Sequence, residues 1–109
     1  MTSNLILAIK GFSIYTIEQG EEEVKDYEAD TTDVIVELQN GDLHVASFLP
    51  YKNVSLSIER NRLSGDYLSG KYFWVDRMVL VEKCDPSTIE EVVQNLLEEG
   101  DFFKVFQKL

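Results

Sequence analysis

A chain of 109 residues that is 44% apolar and 11% aromatic has the size of one domain and enough apolar side chains for one core, which argues against two domains and against global disorder. Twenty acidic against ten basic residues give a net charge of −10, which repels nucleic-acid phosphates and anionic membranes and leaves basic proteins and cations as the charge-compatible partners. No apolar run approaches the roughly 18 residues of a membrane span, no basic residue precedes Leu5–Ile9 as a secretory signal would need, and the lone Cys84 rules out an intrachain disulfide or a zinc site built from several thiolates; a cytoplasmic location is expected.

The first apolar stretch, Leu5–Ile9, is followed after Gly11 by Phe12, Ile14 and Ile17 at alternating spacing, so Phe12–Glu18 is expected to be a strand. Next comes the densest charge in the chain: Glu18, Glu21, Glu22, Glu23, Asp26, Glu28, Asp30 and Asp33, with Lys25 as the one base among them. Opposite-charge steering would make this run a docking surface for a basic partner, whereas a solvated loop beside a charge-protected strand would explain it with no partner at all. Within it Asp26, Glu28, Asp30 and Glu37 fall at calcium-loop spacing, but Thr31 stands where the sharp turn requires glycine, so no metal is expected.

Val34–Leu38 and Leu43–Leu49 alternate on either side of Asn40-Gly41, the preferred pair for a two-residue hairpin turn. That turn would place Leu38 opposite Leu43, Val36 opposite Val45 and Val34 opposite Ser47 on a core face, and Glu37 opposite His44 on the other. A carboxylate beside an imidazole is the minimum for acid and base chemistry. No second histidine, activated nucleophile or glycine-rich anion loop accompanies the pair, so a small enzyme or ligand binder using Glu37 and His44 is an alternative and no catalytic residue is assigned.

Tyr51–Leu63 carries both strand-like and helix-like spacing; Pro50 at its start, Arg60 and Arg62 near its end and Ser64-Gly65 as a stop favour a helix. Lys71–Lys83 is apolar on both alternating faces except at Asp76-Arg77, which reads as a central strand with a bulge or turn at the charged pair. Tyr72, Phe73 and Trp74 are accordingly expected in the core. Cys84 follows as a buried small hydrophobe. Pro86 and a capping box between Ser87 and Glu90 start a helix whose stripe is Ile89, Val92, Val93, Leu96 and Leu97 and whose stop is Gly100. Phe102, Phe103, Phe106 and Leu109 then predict a short second helix.

Phe48-Leu-Pro-Tyr-Lys-Asn53, Gly70-Lys-Tyr-Phe-Trp74 and the acidic helix from Ile89 to Gly100 make the stretch Val34–Leu109 resemble a small, poorly characterised bacterial family that shares these elements. The resemblance implies a bacterial origin and a common fold, and carries no activity. In size and acidity the chain also looks like the immunity proteins that neutralise secreted bacterial toxins. Taken together, the expectation is a single α+β domain: an antiparallel sheet of about four strands, a helix after the central hairpin, and C-terminal helices packed on the sheet. Its expected function is that of a non-enzymatic interaction module, of immunity or inhibitor type, that binds a basic protein through Glu18 to Asp33 without a cofactor. A homo-oligomeric structural domain is a further alternative.

Overall fold

The computed structural model describes residues 2–9, 12–18 and 26–109, with side chains over 12–16 and 26–109. Strands β1 (Thr2–Ile9), β2 (Phe12–Glu18), β3 (Thr32–Glu37) and β4 (Leu43–Pro50) lie side by side in chain order, each antiparallel to the last. From Pro50 the chain turns directly into helix α1 (Tyr51–Ser64), passes through a single turn α2 (Asp66–Gly70), and returns as β5 (Met78–Val81), which pairs parallel to β4 because the helix has carried the chain back to its starting end. Helix α3 (Pro86–Glu99), the single turn α4 (Phe102–Val105) and the two-residue strand β6 (Gln107–Lys108) complete the order. The architecture is thus α+β, as the sequence implies.

β4 pairs with three strands. One edge pairs with β3; the other is divided, with Ser47–Pro50 facing Met78–Val81 of β5 and with His44 and Val45 facing Lys108 and Gln107 of β6. The segment expected to form one central strand, Lys71–Lys83, is broken at Asp76-Arg77. Arg77 adopts a left-handed conformation (φ 53°) that turns the chain, only Met78–Val81 pairs, and it does so at the sheet's end.

The hairpin forms, but its register differs by one residue from the expectation. The carbonyl of Leu38 accepts the Gly41 N–H at 2.9 Å, the Leu38 N–H donates to the Asp42 carbonyl at 2.9 Å, and Gly41 has φ 88°. This is a type I turn over Leu38–Gly41 with glycine in the left-handed position after it, so three residues form the loop in place of two. Asn40 braces it by accepting the Asp42 N–H through Oδ1 at 2.9 Å. Val36 therefore faces His44 and Val34 faces Ala46, while Glu37 faces Leu43. One residue of slip turns β4 over: His44, Ala46 and Phe48 point into the core, whereas Leu43, Val45 and Ser47 do not.

The core lies between that face and the C-terminal elements. Ile14, Val34, Val36, Ala46 and Phe48 from the sheet meet Ile89 and Val93 of α3 and Phe102 and Phe106 of the tail. Phe102 stacks on Phe106 with centroids 4.6 Å apart and planes 13° from parallel, and Phe48 meets Phe106 edge-on at 6.0 Å. Each buried phenylalanine contributes about 1.5–3 kcal/mol of apolar burial. The stripe read for α3 is the face it buries, with Val92, Leu96 and Leu97 packed at its margins. Its start differs: Asp85 occupies the N-cap and Pro86 the first turn, so Ser87 lies inside the helix, where its hydroxyl donates to Glu91 at 3.4 Å and forms no box with Glu90. Gly100 ends the helix at φ 79°, with the Asp101 N–H reaching back to the Leu96 carbonyl at 2.9 Å. The tail yields one helical turn and then extends into β6, so Phe103 and Leu109 are exposed. Cys84 is buried, its thiol directed at the Phe48 carbonyl at 3.5 Å. Among the described residues no helix is long and apolar enough to cross a membrane.

Candidate functional site

Of the acidic run, the side chains of Glu18, Glu21, Glu22 and Glu23 lie outside the described residues. The other four are placed. Asp26 and Asp30 fold into their own turn: Asp26 Oδ1 accepts the Glu28 N–H and Asp30 Oδ2 accepts the Asp26 N–H, each at 3.0 Å. These bonds fix the loop that leads into β3 and engage one oxygen of each carboxylate locally. Glu28 is exposed. Asp33 points to the sheet face away from the core and accepts the Ser47 hydroxyl at 2.8 Å, a pairing set by the cross-strand register.

Glu37 and His44, expected as cross-strand neighbours, lie on opposite faces of the sheet. Glu37 accepts the Tyr15 hydroxyl at 3.3 Å on the outer face. His44 is buried on the core side, 5.6 Å from the Phe102 ring and 5.3 Å from Phe103. The one-residue shift in register is the cause, and it removes the acid and base pair on which the small-enzyme alternative rested.

What the structure gathers instead is a cleft of about 470 Å³ where α1 crosses the outer face of the sheet. Asp33, Ser47 and Leu49 form its floor, Asn53 and Ser57 its helical wall, and Phe73 and Val75 the third side. The polar groups hold one another. Asn53 donates to the Ala29 carbonyl at 2.8 Å, Ser57 contacts the Asn53 carbonyl oxygen at 3.5 Å, and the Arg60 guanidinium reaches the Ser57 hydroxyl at 3.4 Å. The lining offers a carboxylate, hydroxyls and an amide beside an aromatic ring, and places no imidazole beside either serine.

The burial pattern of α1 explains why the helix was hard to read. It buries Ser57 and Asn61, while Tyr51, Leu56 and Leu63 are exposed, Leu63 to 86%. Its two most buried residues are thus polar, with Val54 and Ile58 half-buried beside them, while three large apolar residues are exposed. The segment after it continues the outward apolar display. Tyr67 meets Tyr72 at 5.3 Å and Phe73 at 5.5 Å, both edge-on, and Leu68, Tyr72 (51%) and Trp74 (61%) are exposed. The expectation that Tyr72 to Trp74 lie in the core is thereby corrected: the segment is not a strand, Tyr72 and Phe73 pack on Tyr67, and Tyr72 and Trp74 are exposed among the described residues. Phe73 joins this group to the cleft. Sequence reasoning missed Tyr67 and Leu68 as part of this surface; the available signal was the pair of Ser-Gly steps that isolates Asp66-Tyr67-Leu68 as a tight excursion rich in large apolar residues.

Compared with known proteins, the chain matches no family model, no curated protein and no solved structure.

Proposed function

We propose that the chain is a non-enzymatic protein-interaction module, of inhibitor or immunity type, that presents an aromatic face on an acidic body to a basic protein. The observation that carries this reading is the exposure of Trp74, Tyr72 and Leu68 beside the Phe73 cleft. Large rings left in water, with Glu59, Arg62, Asp66 and Lys71 interspersed along the same segment, have the makeup of an interface: aromatic anchors supply the affinity and charges at the rim choose the partner. The net charge of −10 supplies steering toward a basic surface. The resemblance in size and acidity to toxin-immunity proteins points to the same class of partner.

The test is affinity capture from bacterial extract at low salt with the native chain, with a Tyr72→Ser, Trp74→Ser variant, and with Glu21, Glu22 and Glu23 changed to Gln and Asp26 to Asn. A basic protein held by the native chain, released by salt and lost by the aromatic variant supports the reading. Retention of the same protein by both variants counts against it, and a mass that rises with concentration in the native chain but not in the aromatic variant makes the face a self-association surface instead.

A further inference from the structure

In the cleft between α1 and the outer face of the sheet, the hydroxyl protons are already used and acceptor oxygens remain. Asp33 is the one charged residue of the lining. Its Oδ1 accepts the Ser47 hydroxyl at 2.8 Å, which spends the only proton Ser47 has. Its Oδ2 takes no hydrogen bond or ion pair among the described residues, and it is open to water, unlike the sealed Oδ1 of Asp85. Arg60 can only donate, so the Ser57 hydroxyl accepts from it at 3.4 Å and turns its own proton to Asn53 Oδ1 at 3.5 Å. Asn53 commits one N–H to the Ala29 carbonyl at 2.8 Å. The side-chain donors left in the lining are therefore the second Asn53 N–H and the Thr31 hydroxyl. No cation lines the cleft, and Arg60 forms no ion pair with Asp33.

We propose that this cleft receives the guanidinium of an arginine side chain carried by the basic partner protein. The inference rests on the reading of the chain as an interaction module and names the group that the cleft beside the aromatic face takes. A guanidinium has five N–H donors and no acceptor, which complements a lining of carboxylate and hydroxyl oxygens. Its flat, weakly hydrated face suits the Phe73 ring, and its aliphatic stem suits Val75 and Leu49, whereas a lysine ammonium is compact and strongly hydrated. The volume of about 470 Å³ lies within the roughly 300–1,000 Å³ of ligand sites. Asp33 is half-buried, so an ion pair there is screened by salt less than one with the exposed Glu28. The long-range attraction set up by the net charge of −10 thereby ends in one defined contact.

The experiment is NMR of the full chain at low salt, titrated with N-acetyl-arginine methylamide and with the matching citrulline and lysine compounds. Saturable shifts at Asp33, Ser47 and Phe73 are expected with arginine, and binding about tenfold weaker or more with citrulline, which has the same shape and no charge. Asp33→Asn keeps an acceptor for the Ser47 hydroxyl and should weaken arginine binding about tenfold or more. Should that variant fold poorly, Phe73→Leu keeps an apolar wall without the ring and should weaken binding about two- to fivefold. Trp74→Ser, outside the cleft, should leave it unchanged. Shifts that do not saturate, citrulline or lysine binding as tightly as arginine, or unchanged binding in a folded Asp33→Asn chain would overturn the proposal. Capture of one basic protein equally by the native and Asp33→Asn chains would overturn it too, and leave the interaction module standing. A chain that binds the arginine compound at Asp33 yet captures no protein would overturn the module and leave guanidinium recognition by the cleft in place.

Discussion

Replacing Gly70 with alanine would test how the aromatic face is held against α1, and Gly100 offers a matched control. The two glycines have nearly the same positive φ, 78° and 79°, so the strain this φ imposes on an L side chain, about 1–2 kcal/mol, largely cancels in the comparison. Their surroundings do not cancel. A Cβ at Gly100 meets nothing within 4 Å, whereas one at Gly70 lies 2.6 Å from Cγ of Arg62, 2.9 Å from the Ile58 carbonyl oxygen and 3.2 Å from the Arg62 nitrogen. The Arg62 side chain can swing away, but the carbonyl and amide belong to the backbone of α1 and can yield only by moving the helix away from the turn. Such overpacking costs about 1–3 kcal/mol. With an m-value of about 1.5 kcal/mol/M for urea, Gly70→Ala should lower the unfolding midpoint by about 0.7–2 M more than Gly100→Ala does. Equal midpoints in the two variants would mean that Gly70 does not pack closely on α1, and the placement of Tyr67 and Tyr72 beside the cleft would lose its support.

Further substitutions probe the core and the two faces. Phe102→Ala removes a fully buried ring stacked on Phe106 and should cost about 3–5 kcal/mol in urea unfolding; a loss below about 1 kcal/mol would show that the tail does not close the core. Trp74→Ser should leave stability within about 0.5 kcal/mol because the ring is largely in water, and a much larger loss would place it in a packed interior. Asn61→Leu deletes a buried amide whose Nδ2 has no partner, so stability should be unchanged or rise by up to about 1 kcal/mol by thermal melting; a clear loss would reveal an acceptor for that amide.

The elements were more legible than their faces. Asn40-Gly41 announces a hairpin, yet a two-residue turn and a type I turn followed by a left-handed glycine both place Gly after Asn, and the dipeptide does not choose between them. The choice is made by burial, where Ala46 and Phe48 opposite Val34 and Thr32 fill the core better than Ser47 and Val45 would. In the same way α1 was recognised by its ends, Pro50 and Gly65, while its spacing was ambiguous because its two most buried residues, Ser57 and Asn61, are polar. The α3 stripe was readable because propensity, capping by proline and glycine, and amphipathicity all agree there. Tyr72 to Trp74 read as core for a reason that still holds: three consecutive rings are usually covered on both sides. Here they are not, and a mismatch between local pattern and burial is where recognition sites are found. Of the acidic candidates among the described residues, Asp33 alone lines the cleft, through a register the turn concealed.

Tyr67, Leu68 and Ser69 have φ of 53–56° and ψ of 44–48°, which makes α2 a turn of left-handed helix built from L-residues. In this stretch the ordinary ranking of amino acids is reversed. Alanine, the best residue for α1, would gain nothing here, and the backbone fits the mirror-image enantiomers instead. A semisynthetic chain carrying D-leucine at position 68 should fold more stably than the natural one, by about the 1–2 kcal/mol that handedness costs an L-residue, while D-leucine at position 56 would disrupt α1. Leu68, an exposed large apolar side chain, is thus displayed on a piece of backbone whose chirality works against it.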